Sequence, residues 1–279
     1  MTALNTDEQA ENLRKFFADG TNSVTRERIF FNRLSFDLKI AAARAGYHLH
    51  LYEPDVDRDG FDIVMEDGDH GIGWFQTKAV LSSAATSTWK TNIDFIRPPH
   101  TFGDAFDFEP VECGRGGGVI LIEIDDTTSS GSVKYYYTDF RILIALAERY
   151  LVEMPIRRRG RPSKKVQQAA ETLVKAIRLR PRSDPLDLPR AAFVELMSAD
   201  GLLALMGLRN SEDFGAYSVH QAYSDRVAIS DKGVGVANNH RSISALSALH
   251  WHMEKLAKLL DGKVVLKPFT FQPPDSILK

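Results

Sequence analysis

The chain has 279 residues, of which 43% are hydrophobic and 26% are charged, a composition typical of a globular protein with a core of its own. The single cysteine, Cys113, excludes an intrachain disulfide and a cysteine-based metal cluster. No apolar run approaches the ~20 residues that span a membrane. Asp7, Glu8 and Glu11 stand where a secretory signal would be basic and then apolar. We therefore expect a cytoplasmic protein without a membrane partner, associated with the nucleoid if the source is bacterial.

The first 150 residues alternate between helical and strand patterns. Apolar residues recur at helical spacing over 7–19 and again over 25–45, where Gly46 is a natural stop. Short apolar or alternating runs then predict strands at 47–52, 61–65, 72–80, 119–124 and 134–138, followed by a helix over 140–150. This order predicts an α/β fold with a mixed central sheet flanked by helices.

The charge of the second half is uneven. Between Arg157 and Arg182, ten basic residues stand against one acidic residue, Glu171, which gives this stretch a net charge of +9. Because the whole chain carries −2, the rest carries −11. We expect three parts: a sheet domain over 1–155, a basic segment with a helix over 156–182, and a mostly helical region over 183–279. The clearest helix of that last region is predicted over 242–260, before a strand-like tail near 264–271.

Polar residues stand within the two apolar runs of the hairpin predicted over 61–80. Asp62 lies at the start of the first run, and Gln76 and Lys78 lie at the end of the second. Side chains alternate along a strand, so residues 76 and 78 share a face, and a hairpin brings Asp62 towards them. The plainer alternative is that Asp62 caps a turn beside solvent-facing residues of a charged edge strand.

The first of these interpretations would suit a hard divalent cation, Mg²⁺ or Mn²⁺. The Asp62 carboxylate, the Gln76 amide oxygen and the backbone carbonyl of Thr77 are oxygen ligands of the kind that Mg²⁺ prefers. Lys78 would orient the attacking water or stabilise charge on a phosphate. Glu27, at the start of the second helix, is the best candidate for a further carboxylate.

The stretch GFDIVMEDGDHGIGWFQTK, residues 60–78, resembles the core motif of the PD-(D/E)XK nuclease superfamily. It is most similar to the Mrr-like branch of restriction endonucleases, where Gln often replaces the acid of the (D/E)xK element. The resemblance covers about 27–150 and includes the order of the helix and the strands. It implies a restriction-endonuclease-like fold and a metal-dependent DNA endonuclease, acting first of all in restriction or defence against foreign DNA.

By this resemblance, Asp62 is the metal ligand of the first motif strand, Gln76 the ligand of the second, Lys78 the catalytic lysine and Glu27 the helical acid. The sequence departs from the family pattern at Phe61, where the family has a nominal Pro, and at Gln76. The second departure leaves fewer negative charges on the metal.

The stretch RRRGRPSKK, residues 157–165, resembles an AT-hook. Arginine inserts readily into the narrow, negative minor groove of A·T-rich DNA, and flanking basic residues contact phosphates. The alternative is a solvated basic linker in which Ser163 caps a helix over 164–179. The predicted DNA-binding residues are Arg157, Arg158, Arg159, Gly160, Arg161, Pro162, Lys164 and Lys165.

Two other classes of function stay open. The first is a catalytically inactive DNA-binding protein on a nuclease-like fold, with which Gln76 and the basic stretch are compatible. The second is a protein–protein module whose uneven charge serves an acidic partner. A homodimer is an open arrangement for each class.

Overall fold

The described part of the chain begins with two helices. In this computed structural model the described residues are 6–54, 60–66, 72–98, 108–128, 130–149, 151–153, 165–182 and 184–206, with three short strands beyond them at 228–230, 233–235 and 264–266. Helix α1 is Thr6–Ala18 and helix α2 is Ser23–Arg44. Gly46, just after α2, has a φ of 85°, the left-handed conformation that glycine adopts without strain. Both predicted helices are confirmed.

The remaining elements alternate strands with shorter helices. In chain order they are β1 (His50–Tyr52), β2 (Ile63–Glu66), β3 (Ile72–Leu81), β4 (Thr88–Asn92), α3 (Ile93–Ile96), β5 (Gly118–Ile124), β6 (Val133–Thr138), α4 (Phe140–Ala147), β7 (Leu151–Glu153), α5 (Lys165–Leu179), β8 (Pro185–Pro189), β9 (Val194–Glu195), α6 (Ala199–Met206), β10 (Ala228–Ser230), β11 (Gly233–Gly235) and β12 (Val264–Leu266).

Six strands form the central sheet in the order β1-β2-β3-β5-β6-β9. The pair β3/β5 is parallel, and the other neighbouring pairs are antiparallel. The five strands predicted in the first half of the chain all belong to this sheet, and the predicted mixed sheet is confirmed. The parallel step follows from the long connection between β3 and β5, which carries β4 and α3 and returns to the same end of the sheet.

Helical layers cover both faces of the sheet. Tyr135 and Tyr136 are neighbours in β6, so their side chains point to opposite faces. The hydroxyl of Tyr135 donates to Asp37 of α2 at 2.6 Å. Arg190, in the turn before β9, lies over the ring of Tyr136 at 3.8 Å and donates to Glu123 at 2.7 Å. α2 therefore covers one face, while α5, which packs against α4 and against the turn at 190–192, covers the other.

The C-terminal region is only partly as predicted. Residues 184–206 hold α6, but they also provide β8, which pairs with β4, and β9, which is an edge strand of the central sheet. The expectation of a mostly helical region is therefore wrong for residues 185–195. The predicted strand-like tail appears as β12, which pairs with β7, whereas the helix predicted over 242–260 lies outside the described residues. None of the described helices is long and apolar enough to cross a membrane.

Candidate functional site

The hairpin register places Asp62 beside the middle of β3. Ile63 pairs with Phe75, and the backbone N–H of Asp62 donates to the carbonyl of Phe75 at 2.9 Å. The pairing between β2 and β3 ends at this point, whereas β5 pairs with β3 as far as Leu81. Among the described residues, the second half of β3 therefore has one paired edge and one open edge. Asp62 stands where the open edge begins.

Asp62 is fixed by the backbone of the neighbouring strand. Its Oδ2 accepts hydrogen bonds from the backbone N–H of Thr77 at 2.6 Å and from the Thr77 hydroxyl at 3.2 Å. In a strand, the N–H and the C=O of one residue point to the same edge. The Thr77 carbonyl therefore faces the same open edge as the Asp62 carboxylate. Within the described part of the chain, Oδ1 of Asp62 has no hydrogen-bond partner.

The side chain of Gln76 makes hydrogen bonds to residues outside the cleft. Its side chain is 7% exposed, and its amide Nε2 donates to the carbonyl of Gly60. Its amide oxygen accepts from the hydroxyl of Thr91 and from the backbone N–H of Asn92, the latter at 3.1 Å. An amide oxygen has two lone pairs, so both acceptor positions are in use. The Gln76 side chain thus links the residue-60 loop to β4.

Gly60 makes this link sterically possible. Its φ is +76°, and a Cβ built on it would approach the Asn92 amide nitrogen to 2.9 Å. A larger residue would be strained there and would push β4 away. Gly60 therefore contacts both Gln76 and Asn92, and these contacts help to position Asp62, two residues further along the chain.

A cleft of about 1150 Å³ opens along the free edge of β3. Its walls are the N-terminal half of α2, the end of α1 and the segment between β3 and β4. Asp62, Thr77, Lys78 and Glu27 all line it, whereas Gln76 does not. Four of the five predicted catalytic and metal-binding residues therefore meet in one cavity.

The charged residues of the cleft fall into two groups. Arg28 pairs with Glu53 at 2.6 Å, and Arg14 lies 3.5 Å from Glu11 and donates to a backbone carbonyl at 3.3 Å. A second group has no oppositely charged partner among the described residues. Its members are Arg26, Glu27, Asp62 and Lys78. Two carboxylates and two cations thus line one cleft, and no ion pair joins them or links them to other described residues.

These groups define what the cleft could hold. Among the described residues no three His, Cys, Asp or Glu side chains come close enough to form a metal site by themselves. The oxygens on hand are the Asp62 carboxylate, the Thr77 carbonyl and, across the cleft, the Glu27 carboxylate. Mg²⁺ and Mn²⁺ are hard cations, and Mg²⁺ is commonly bound through one or two carboxylates while it keeps several waters. The donor set fits such an ion through Asp62 and Thr77, without Gln76.

The described residues include only the second part of the basic stretch. Residues 157–164 lie outside the described residues, and Lys165 is the exposed first residue of α5. The basic residues at the other end of the stretch serve the fold. Arg178 lies over the ring of Phe108 at 4.3 Å, Arg180 donates to a carbonyl, and Arg182 pairs with Asp94 at 2.7 Å. Of the predicted DNA-binding residues, Lys165 alone therefore belongs to the part of the chain that the structure describes.

Comparison with known proteins gives no relative. No family model matches the chain, and neither the curated proteins nor the solved structures contain a match.

Proposed function

We propose that the protein is a metal-dependent DNA endonuclease whose reaction takes place in the cleft beside β3. The observation that supports this most directly is the meeting of Asp62, Glu27 and Lys78 in one cavity, with no opposite charge to satisfy any of them among the described residues. Asp62 and Lys78 are half-buried, whereas Glu27 is exposed. Leaving charged side chains half-buried and unpaired costs stability, and such groups cluster at functional sites.

The chemistry divides among these groups. A divalent cation at Asp62 and the Thr77 carbonyl would lower the pKa of a bound water and neutralise charge on a phosphate oxygen. Lys78, which lines the same cleft, would donate hydrogen bonds to a phosphate oxygen as negative charge develops there. Glu27 offers a carboxylate on the opposite wall, which can accept a proton from a water or hold a second hydrated ion.

The basic stretch supports DNA as the substrate. Residues 157–165 carry six basic side chains and no acidic one, and such density favours contact with a phosphate backbone. By the resemblance of this stretch to an AT-hook, we propose that it recruits A·T-rich DNA. Restriction or defence against foreign DNA is the biological role we propose, on family resemblance.

The hydrogen bonds that occupy the Gln76 amide favour a second candidate, a protein that binds DNA without cleaving it. In the nuclease pattern a second acid stands at this position, and here the side chain contributes neither charge nor a free oxygen to the cleft. The two candidates share the prediction of DNA binding and differ in hydrolysis alone.

One set of samples separates the candidates. Purified protein is incubated with a fluorescently labelled duplex, and cleavage is followed on gels with Mg²⁺, Mn²⁺ or EDTA while binding is followed by anisotropy in EDTA. Asp62→Asn keeps an acceptor for the Thr77 N–H and removes the charge. Lys78→Ala removes the cation. Lys90→Ala is the matched control, because Lys90 is an exposed lysine of β4 outside the cleft lining.

The nuclease proposal predicts cleavage that needs metal, is lost in the first two variants and persists in the control. Binding without cleavage by the wild type would support the second candidate instead. If the wild type neither bound nor cut the duplex, a protein–protein role for the uneven charge would be the remaining class.

A further inference from the structure

Among the residues that the structure describes, Arg26 is the one cleft cation without a carboxylate partner for which the catalytic proposal has no use. It precedes Glu27 in the first turns of α2, is half-buried, and lines the same cleft as Asp62 and Lys78. Its Nη1 donates to the carbonyl of Phe17 at 2.7 Å, near the end of α1. Within the described part of the chain, no carboxylate pairs with it.

The anchor on Phe17 leaves most of the guanidinium available. A guanidinium has five N–H donors in a fixed plane, and the carbonyl of Phe17 uses a single one of them. The bond also holds the side chain in place, so less rotational freedom is lost when an anion binds. The buried rings of Phe17 and Phe30 line the cleft close by, and their low polarity strengthens a contact between charges.

Arg28, a second arginine of α2, differs from Arg26 in its pairing. It lies two residues further along α2, is exposed, and also lines the cleft. Its guanidinium is already paired with Glu53 at 2.6 Å. Arg28 is therefore paired with a carboxylate of the protein itself. Arg26 has no such partner among the described residues, so its charge can attract an anion from solution.

We infer that Arg26 binds a backbone phosphate of the nucleic acid, separate from the phosphate that Lys78 contacts. The inference rests on the proposed function, because it takes the ligand of the cleft to be a nucleic-acid strand. Arg26 thereby fixes the register of the strand along the open edge of β3. Phosphate contacts of this kind position a nucleic acid and carry no sequence preference.

The test is the salt dependence of binding to a labelled duplex in EDTA, where no hydrolysis interferes. Each phosphate contact contributes about −0.9 to the slope of log affinity against log salt. For Arg26→Gln we expect a slope shallower by about 0.9, so that between 50 and 200 mM salt the variant loses about 3.5-fold less affinity than the wild type. Arg28→Gln, the matched control, should keep the wild-type slope.

A substitution at position 26 also removes the hydrogen bond to Phe17, so a conservative variant is needed. Arg26→Lys keeps the charge and loses the planar fork. We expect it to restore the salt slope, whereas a merely structural role would make it behave like Arg26→Gln. A wild-type slope in Arg26→Gln, or an equal change in Arg28→Gln, would overturn the inference while leaving the nuclease proposal intact. Loss of cleavage activity without any change in slope would also overturn it. DNA binding by the wild type with no cleavage would defeat the nuclease proposal alone.

Discussion

Replacing Gln76 by Glu distinguishes sharply between the two possible roles of this residue. If Gln76 were a metal ligand, Gln76→Glu would restore the acid of the nuclease pattern and tighten metal binding. The structure predicts the opposite, because Gln76 uses its amide N–H₂ to hold the carbonyl of Gly60. A carboxylate has no donor for that carbonyl and would place negative charge against it.

The size of the effect follows from the contacts. The variant loses the hydrogen bond to Gly60 and leaves the carbonyl of Gly60 without this donor, which costs about 1–3 kcal/mol. The two remaining bonds, from Thr91 and Asn92, survive because a carboxylate oxygen still accepts them. We therefore expect Gln76→Glu to lower the free energy of unfolding by about 1–3 kcal/mol.

The assay is urea unfolding followed by tryptophan fluorescence, combined with calorimetric titration of Mn²⁺. Gln168→Glu makes the same chemical change on the exposed side of α5 and should alter stability by less than about 0.5 kcal/mol. A Gln76→Glu protein as stable as the wild type, with tighter Mn²⁺ binding, would refute the account of Gln76 given above.

Three further predictions concern the fold. Asp126 is fully buried; burial acts to raise its pKa, but hydrogen bonds from two neighbouring serines lower it below the usual carboxyl value. Its contribution to stability should therefore be lost as the pH falls below about 4, and acid unfolding of Asp126→Asn should depend less on pH. Burial raises the pKa of Tyr135, so stability should fall as the pH rises above about 10, where the unfolded tyrosine ionises, and less steeply in Tyr135→Phe. Arg97 is 2% exposed and donates to the carbonyl of Ile177 at the end of α5, so Arg97→Met should cost about 3 kcal/mol in urea unfolding.

The central sheet could largely be predicted because its strands are long or strongly patterned. β3 and β5 carry apolar runs that fix their type, and the hairpin of β2 and β3 fixes the register that brings Asp62 to Thr77. The short strands β8 and β9 escaped prediction. β8 begins and ends with proline and β9 has two residues, so neither shows a period that can be recognised locally.

Four of the five candidate residues line the cleft as a group. The hydrogen-bond partners of their side chains could not be predicted from the sequence. The strand period predicts that Asp62 lies beside the second half of β3, and its carboxylate does accept from the Thr77 N–H, since this depends on neighbouring strands alone. The partners of Gln76 come from β4, which lies in a serine- and threonine-rich stretch with no strand pattern. Arg26 carried no signal either, because its availability depends on which arginine of α2 meets Glu53.

The most direct test of the account is metal-dependent nicking of supercoiled plasmid by the wild-type protein and by Asp62→Asn. The variant keeps the contact with the Thr77 N–H, so its fold should persist while the negative charge in the cleft is lost. The account predicts nicking by the wild type with Mg²⁺ or Mn²⁺, none with EDTA, and a loss of at least about 100-fold in the variant. Equal nicking by both proteins, or none by the wild type, would contradict it.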